Sequence, residues 1–199
     1  MPGASPQNAR YNVVAMGLHW AVAALIIGNI GVAWYFGALP RLEQIPSIQI
    51  HKSIGITVLI LSVIRLAWRF TARPPAEPPS LRGWERLASN LTYVLFYLLM
   101  IGLPLTGWIY VTASGLITVY PVTLFGLVTM PTLTAITSLP HDQMEQVKTG
   151  FQAAHQLLAK VAYVLIALHV AAALRHWIIL RDGIAQRMIP FLSFPRARP

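Results

Sequence analysis

The sequence of 199 residues contains no cysteine. That absence excludes disulfide bonds, iron–sulfur clusters, thiolate-ligated metals and haem attached covalently through thioethers. Acidic residues are also scarce, with 6 aspartates and glutamates against 15 lysines and arginines. None of these carboxylates falls within the long apolar runs of the chain, so a di-iron or di-manganese centre built on buried glutamates is not expected.

Charged residues of either sign make up only 11% of the chain. Soluble domains usually carry about 25%. Hydrophobic residues reach 56% and the mean hydropathy is +0.59, so the composition predicts that lipid surrounds much of the surface. The net charge of +9 suggests nucleic acid as an alternative partner. Because the basic residues form no cluster on one polar helix, we expect no nucleic-acid binding.

Four apolar runs are long enough to cross a hydrocarbon core about 30 Å thick. They cover about residues 13–36, 48–70, 91–111 and 152–180, and Pro104 is expected to kink the third. The stretch 114–140 is also apolar but rich in proline, so we interpret it as a loop with short interfacial pieces, with a fifth span as the alternative. The sequence therefore predicts an all-α integral membrane four-helix bundle that forms a single domain over residues 1–199. The first run is too long for a signal peptide, and we expect it to remain in the mature protein.

Basic residues are distributed unevenly between the two sides of such a bundle. With four spans, both termini and the proline-rich connection 71–80 share one side, which carries eleven arginines: Arg10, Arg65, Arg69, Arg73, Arg82, Arg86, Arg175, Arg181, Arg187, Arg196 and Arg198. The opposite side carries four basic residues: Arg41, Lys52, Lys148 and Lys160. The positive-inside rule therefore predicts that both termini are cytoplasmic.

Four of the six histidines lie in or at the edge of the apolar spans: His19, His51, His155 and His169. An ionisable side chain is costly inside a bilayer, so a functional role is the default interpretation. Any one of them could simply donate to a backbone carbonyl. Four together favour a shared role.

The spacing of these histidines predicts two pairs. His155 and His169 are 14 residues apart, which places them on nearly the same helix face and about 21 Å apart along its axis. The directions of the spans bring His19 to the depth of His169, and His51 to the depth of His155. Two imidazoles from facing helices are suited to the axial positions of a haem iron. Zinc would need a third protein ligand or a thiolate at the same depth, which we do not find.

Five segments of the sequence resemble the bacterial cytochrome b561 family. They are RYNVVAMGLHW, HKSIGITVLILSVIRLAWR, LPLTGWIY, FGLVTMP and HQLLAKVAYVLIALHVAAALRHWIILRDGIAQRMIP, which are spread over most of the chain, from residue 10 to residue 190. The resemblance implies a multi-pass protein of the bacterial inner membrane that binds two non-covalent b haems and exchanges electrons with a membrane quinone, ubiquinone being expected. It implies haem ligands at His19, His51, His155 and His169, the same four that the spacing selects.

The resemblance leaves the exact activity open. One activity known in the family is superoxide oxidation, with electrons passed through the haems to ubiquinone, and no residue here proves it. Other relatives are cytochrome b subunits that dock on a partner dehydrogenase or hydrogenase, although those subunits are usually larger. A non-redox membrane protein such as a small transporter is a third class.

Arg65 and Arg69 end the second span and lie four residues apart, hence on one helix face. We expect them to bind the propionates of the cytoplasmic haem as charge-assisted donors. The alternative is that they only mark the inner boundary of the membrane.

Overall fold

The computed structural model describes residues 10–72, 74–76 and 81–193. The chain forms the long helices α1 (Val13–Gly37), α2 (Gln44–Thr71), α3 (Gly83–Ala113) and α5 (His141–Leu174), with the short α4 (Thr134–Thr137) before the last. A π-helical turn, Arg175–Leu180, continues α5, and 3-10 turns occupy Leu116–Thr118 and Ala185–Arg187. Across the described ranges, four helices are long and apolar enough to cross a membrane. Arg73, Arg196, Arg198 and positions 77–80 of the proline-rich connection lie outside the described residues.

The helices extend beyond the apolar runs in the sequence. Helix α1 matches the predicted span 13–36, but α2, α3 and α5 begin at Gln44, Gly83 and His141 rather than near 48, 91 and 152. Hydropathy detects only the part of a helix that lipid surrounds, whereas the backbone hydrogen bonds continue into the polar interface. Residues 141–151, which precede the predicted fourth span, therefore form the first turns of α5. Helix α3 continues through Pro104 without interruption.

The apolar stretch between α3 and α5 contains a β-hairpin and no membrane-length helix. Strands β1 (Thr123–Leu124) and β2 (Val128–Thr129) pair antiparallel, with Leu124 opposite Val128. Both central residues of the turn have positive φ, 51° at Phe125 and 74° at Gly126, as in a type I′ turn. The all-α prediction missed this hairpin because a Phe-Gly turn lacks the asparagine or aspartate that usually marks such turns.

The hairpin is fixed to the beginning of α2 by side chains of that helix. Ser53, only 2% exposed, places its Oγ 2.8 Å from Thr123 O and accepts a hydrogen bond from Phe125 N at 3.1 Å. Lys52 Nζ donates to Tyr120 O at 3.0 Å and to Pro121 O at 3.3 Å. We call this end of the bundle the hairpin end.

The opposite end is closed by the segments that precede α1 and follow α5. Tyr11 N donates to Arg187 O at 3.1 Å, and Trp20 Nε1 donates to Met188 O at 2.9 Å. Arg187 Nη2 donates to Ala76 O at 2.7 Å, which joins the connection between α2 and α3 to the same end. Both terminal segments and this connection thus lie together, as four spans require, and we call this the terminal end.

The bundle consists of two helical hairpins. Helix α1 packs on α2, α2 on α3, and α3 on α5. A buried cluster of Val22, Val58, Tyr97 and Met100 joins the first three helices, while Leu99, Ala162 and Leu165 join α3 to α5. Over the described residues, α5 makes hardly any close backbone contact with α1 or α2. The space between them is bridged by side-chain rings.

Candidate functional site

The four membrane histidines form two ring pairs across that space. His19 of α1 and His169 of α5 have ring centroids 6.2 Å apart and planes inclined by 64°. His51 of α2 and His155 of α5 have centroids 6.3 Å apart and planes inclined by 80°. The structure thus brings together the same partners that the sequence spacing pairs. We call the first the terminal pair and the second the hairpin pair, after the nearer end of the bundle.

The ring separations fit two imidazoles that share one metal ion. A metal–imidazole bond is about 2 Å long, so rings bound on opposite sides of one ion have centroids about 6 Å apart. Both pairs have this separation although they lie at different depths. Each pair therefore has room for one metal ion between its rings.

The donor set at each pair suits iron inside a macrocycle better than a bare ion. Among the described residues, no group of three or more histidine, cysteine, aspartate or glutamate side chains is placed to hold a metal ion. A bare zinc ion takes three or four protein ligands, whereas haem iron needs the protein only for its axial positions. Two imidazoles without a third ligand therefore fit haem.

Backbone carbonyls orient both rings of the hairpin pair. His155 Nδ1 lies 3.0 Å from Leu103 O, and His51 Nδ1 lies 3.4 Å from Asn29 O. A carbonyl oxygen can only accept, so both rings carry their hydrogen on Nδ1. Nε2 of each ring then keeps its lone pair, which is the state that a metal ligand requires.

A short segment of α3 packs closely against the His155 ring. A Cβ added at Gly107 would lie 3.2 Å from Cε1 and 3.3 Å from Nδ1 of His155, so a larger residue there would require the ring to shift slightly. Thr106 Oγ1 donates to Leu103 O at 2.8 Å and lies 3.2 Å from His155 Nδ1. The LPLTGWIY segment carries part of the family resemblance, but contact of this segment with His155 was not predicted from the sequence. The sequence feature that could have indicated this contact is Gly107, which follows Pro104 by about one helical turn inside an apolar span.

The terminal pair has a cation beside it instead. Arg65 Nη2 lies 3.2 Å from His19 Nδ1. A guanidinium group can only donate, so Nδ1 of His19 is the acceptor in this contact. The rings of Trp20 and Phe96 flank the pair, with centroids 5.3 Å from His19 and 5.2 Å from His169.

Of the two arginines that the sequence analysis selected, only Arg65 contacts a histidine. Arg69 places its Cζ 4.2 Å from the centroid of the Tyr93 ring, a cation–π contact. Arg65 Cζ is 5.8 Å from the centroid of the Tyr97 ring. Tyr93 and Tyr97 thus hold both guanidinium groups on the terminal half of the bundle.

The chain is similar to known proteins along most of its length. A family model described as prokaryotic cytochrome b561 matches residues 10–191. Cytochrome b561 homolog 2 of Escherichia coli (strain K12) is 29% identical over 184 residues, which cover 90% of this chain and 91% of that protein. The Yersinia pestis protein named Probable superoxide oxidase CybB is 31% identical over 195 residues, which cover 92% and 97%. Cytochrome b561 homolog 1 of E. coli is 25% identical over 183 residues, which cover 91% and 97%.

The family match runs through all four long helices and includes both histidine pairs. Membrane electron transfer and b-type haem are properties of this family, and the four long apolar helices among the described residues support a bacterial multi-pass membrane protein. The chain therefore belongs to the prokaryotic cytochrome b561 family.

Proposed function

We propose that this protein binds two b haems, one between His19 and His169 and the other between His51 and His155. It would lie in the bacterial inner membrane with both termini in the cytoplasm and exchange electrons with a membrane quinone. The observation that carries the proposal is the ring separation of about 6 Å, which recurs at both pairs.

Haem at these sites supplies one-electron redox chemistry. Both histidines of a pair would hold one iron, so the chemistry supplied at each site would be the gain and loss of an electron rather than the binding of oxygen. The helices fix the rings: Leu103 O and Asn29 O orient His155 and His51, and Gly107 gives His155 its place. Arg65 and Arg69 have the charge and the location to donate to haem propionates at the terminal end.

The spacing along α5 supports transfer across the membrane. His155 and His169 are separated by about 21 Å along the helix axis, because each residue adds about 1.5 Å. One site then serves each membrane surface. The excess of arginine at the terminal end supports a cytoplasmic position for that end.

Superoxide:ubiquinone oxidoreductase activity is the more specific candidate. It is supported by the Yersinia pestis relative, whose name describes it as a probable superoxide oxidase. In that reaction two superoxide ions each lose one electron and become dioxygen, while one quinone takes up both electrons and two protons. The alternative is a cytochrome b subunit that docks on a partner dehydrogenase or hydrogenase.

The haem count tests the core of the proposal. We expect the pyridine haemochrome assay on the purified protein to give two haems per chain, and His19→Ala and His51→Ala to give one each. The matched control is His141→Ala, in the first turn of α5 and outside both pairs, which should keep two. One haem in the unmodified protein, or loss of the same haem in both variants, would contradict the proposal.

Rapid mixing separates the candidate activities. If superoxide is a substrate, it will reduce the haems within the mixing experiment, and added ubiquinone will reoxidise them. Reduction only by a copurifying partner protein would instead support the subunit role. A colourless purified protein would bind no haem, and a non-redox function would then be the remaining candidate.

A further inference from the structure

The two histidine pairs differ in what contacts their Nδ1 atoms. In the hairpin pair, both Nδ1 atoms face carbonyl oxygens, Leu103 O at 3.0 Å and Asn29 O at 3.4 Å. In the terminal pair, His19 Nδ1 faces the guanidinium of Arg65 at 3.2 Å. Among the described residues, neither ring of the terminal pair has a carbonyl or carboxylate partner.

The carbonyl contacts affect how well a bound iron holds an electron. An imidazole that donates Nδ1–H to an acceptor becomes a more basic ligand. A more basic ligand stabilises ferric over ferrous iron and so lowers the midpoint potential. Leu103 O and Asn29 O would therefore lower the midpoint potential of an iron bound at the hairpin pair.

The cation beside His19 has the opposite effect. A fixed positive charge within a few ångströms favours the state with one more electron, and low dielectric strengthens that interaction. If iron is bound through Nε2 of His19, Nδ1 carries the hydrogen and can no longer accept from Arg65. Arg65 then needs another acceptor, and haem propionates are anionic acceptors. In either contact its charge remains at the terminal pair.

We propose that Arg65 makes the terminal pair the site of higher midpoint potential, so that an electron shared by the two sites resides mainly at the terminal end. This inference rests on the proposed function, because it requires one haem at each pair. Both physical effects act in the same direction. Arg65 is thus assigned a role in setting the direction of transfer, beyond any role in holding the cofactor.

The experiment is an optical redox titration of the detergent-purified holoprotein. We expect two components, and His51→Ala and His19→Ala will show which component belongs to the terminal and which to the hairpin pair. In Arg65→Gln, the midpoint potential of the terminal component should fall by at least about 59 mV. For a one-electron couple, this is a tenfold shift towards the oxidised form at a fixed potential. Arg65→Lys, which keeps the charge, should shift much less.

Two further variants serve as comparisons. Arg181→Gln removes an exposed positive charge that lies beyond α5, where Arg181 Nε donates to Ile178 O, and should move neither component. Gly107→Ala brings a Cβ to 3.3 Å from Nδ1 of His155, the atom that contacts Leu103 O, so it should disturb that contact and raise the midpoint potential of the hairpin component alone. If Arg65→Gln loses the terminal haem, the midpoint potentials of the two single-haem variants test the inference. The terminal haem of His51→Ala should then have a higher midpoint potential than the hairpin haem of His19→Ala.

Equal potentials, a higher potential at the hairpin pair, or an Arg65→Gln shift in the hairpin component would overturn the inference. These results would leave the proposed function intact as long as two haems are bound. A haem count below two would instead contradict the proposed function itself.

Discussion

The two ends of the bundle are closed by different parts of the chain. At the terminal end, the segments outside the long helices bond to one another and to α1, as in the contacts of Tyr11 N with Arg187 O and of Trp20 Nε1 with Met188 O. At the hairpin end, a β-hairpin is fixed by Ser53 and Lys52 of α2. Nevertheless the ring separations of the two pairs, 6.2 and 6.3 Å, are almost equal. The long helices therefore set the ring separation and also carry the groups that contact the rings, whereas the closing segments join the helix ends.

This comparison separates two kinds of substitution. Changes at helix positions that face the rings should alter cofactor content at one end only. Changes at the closing segments should alter stability and leave the ring separations unchanged.

The largest effect is expected when the pairing itself is tested with double variants. His51→Ala/His155→Ala removes both ligands of one pair, so one haem should remain. His51→Ala/His169→Ala removes one ligand from each pair, so no bis-histidine haem should remain. Pyridine haemochrome assays of the two proteins distinguish these results, and equal haem contents would show that the pairs are wrong.

A smaller effect, confined to the hairpin pair, is expected for Gly107→Val. The added Cβ alone would lie 3.2 Å from His155 Cε1. Overpacking of this kind costs about 1–3 kcal/mol. A loss of about 1.4 kcal/mol corresponds to a tenfold weaker binding of haem.

Haem retention during dilution in detergent measures this loss. Gly102→Ala is the control, because its Cβ would meet Leu158 Cδ1 at an ordinary 3.7 Å. If Gly107→Val keeps both haems as tightly as the control, the close packing of Gly107 against His155 is not needed to position that ring.

Ser53→Ala tests the closure at the hairpin end. The substitution removes the acceptor of Phe125 N and the hydroxyl that contacts Thr123 O at a partly buried site, and such a loss costs about 1–2 kcal/mol. Thermal unfolding in detergent should show a lower midpoint, with two haems still bound before unfolding. Thr57→Val is the matched control, since Thr57 Oγ1 only donates to Ser53 O in its own helix. Equal midpoints for the two variants would mean that Ser53 does not anchor the hairpin.

The smallest effect is expected at the beginning of α1. Asn12 Oδ1 accepts from Ala15 N at 2.8 Å and from Trp68 Nε1 at 3.1 Å, so it caps α1 and joins it to the end of α2. Asn12→Ala should cost about 1 kcal/mol of stability, as N-cap losses usually do. Asn12→Asp keeps an acceptor and should retain most of the unfolding midpoint. A larger loss in the aspartate variant than in the alanine variant would contradict the capping role.

The sequence predicted the pairing of the histidines because span direction and helix rise determine depth. It did not predict Asn29 O or Leu103 O, since a backbone carbonyl has no side chain to mark it and its position depends on helix rotation. Arg65 and Arg69 lie four residues apart on one helix face, so the sequence could not distinguish them. Their packing distinguishes them, because Arg65 lies over the Tyr97 ring and Arg69 over the Tyr93 ring. The early starts of α2, α3 and α5 were missed because interfacial turns carry little hydropathy signal.

The sparse contact between α5 and the α1–α2 hairpin has a consequence for biogenesis. Each helical hairpin can insert into the membrane with its own backbone hydrogen bonds complete. Since each pair takes one ring from α5 and the other from α1 or α2, a cofactor bound there would join α5 to the α1–α2 hairpin, in addition to the packing of α2 on α3. Without haem, the packing of α2 on α3 and the buried cluster of Val22, Val58, Tyr97 and Met100 would be left to hold the two helical hairpins together.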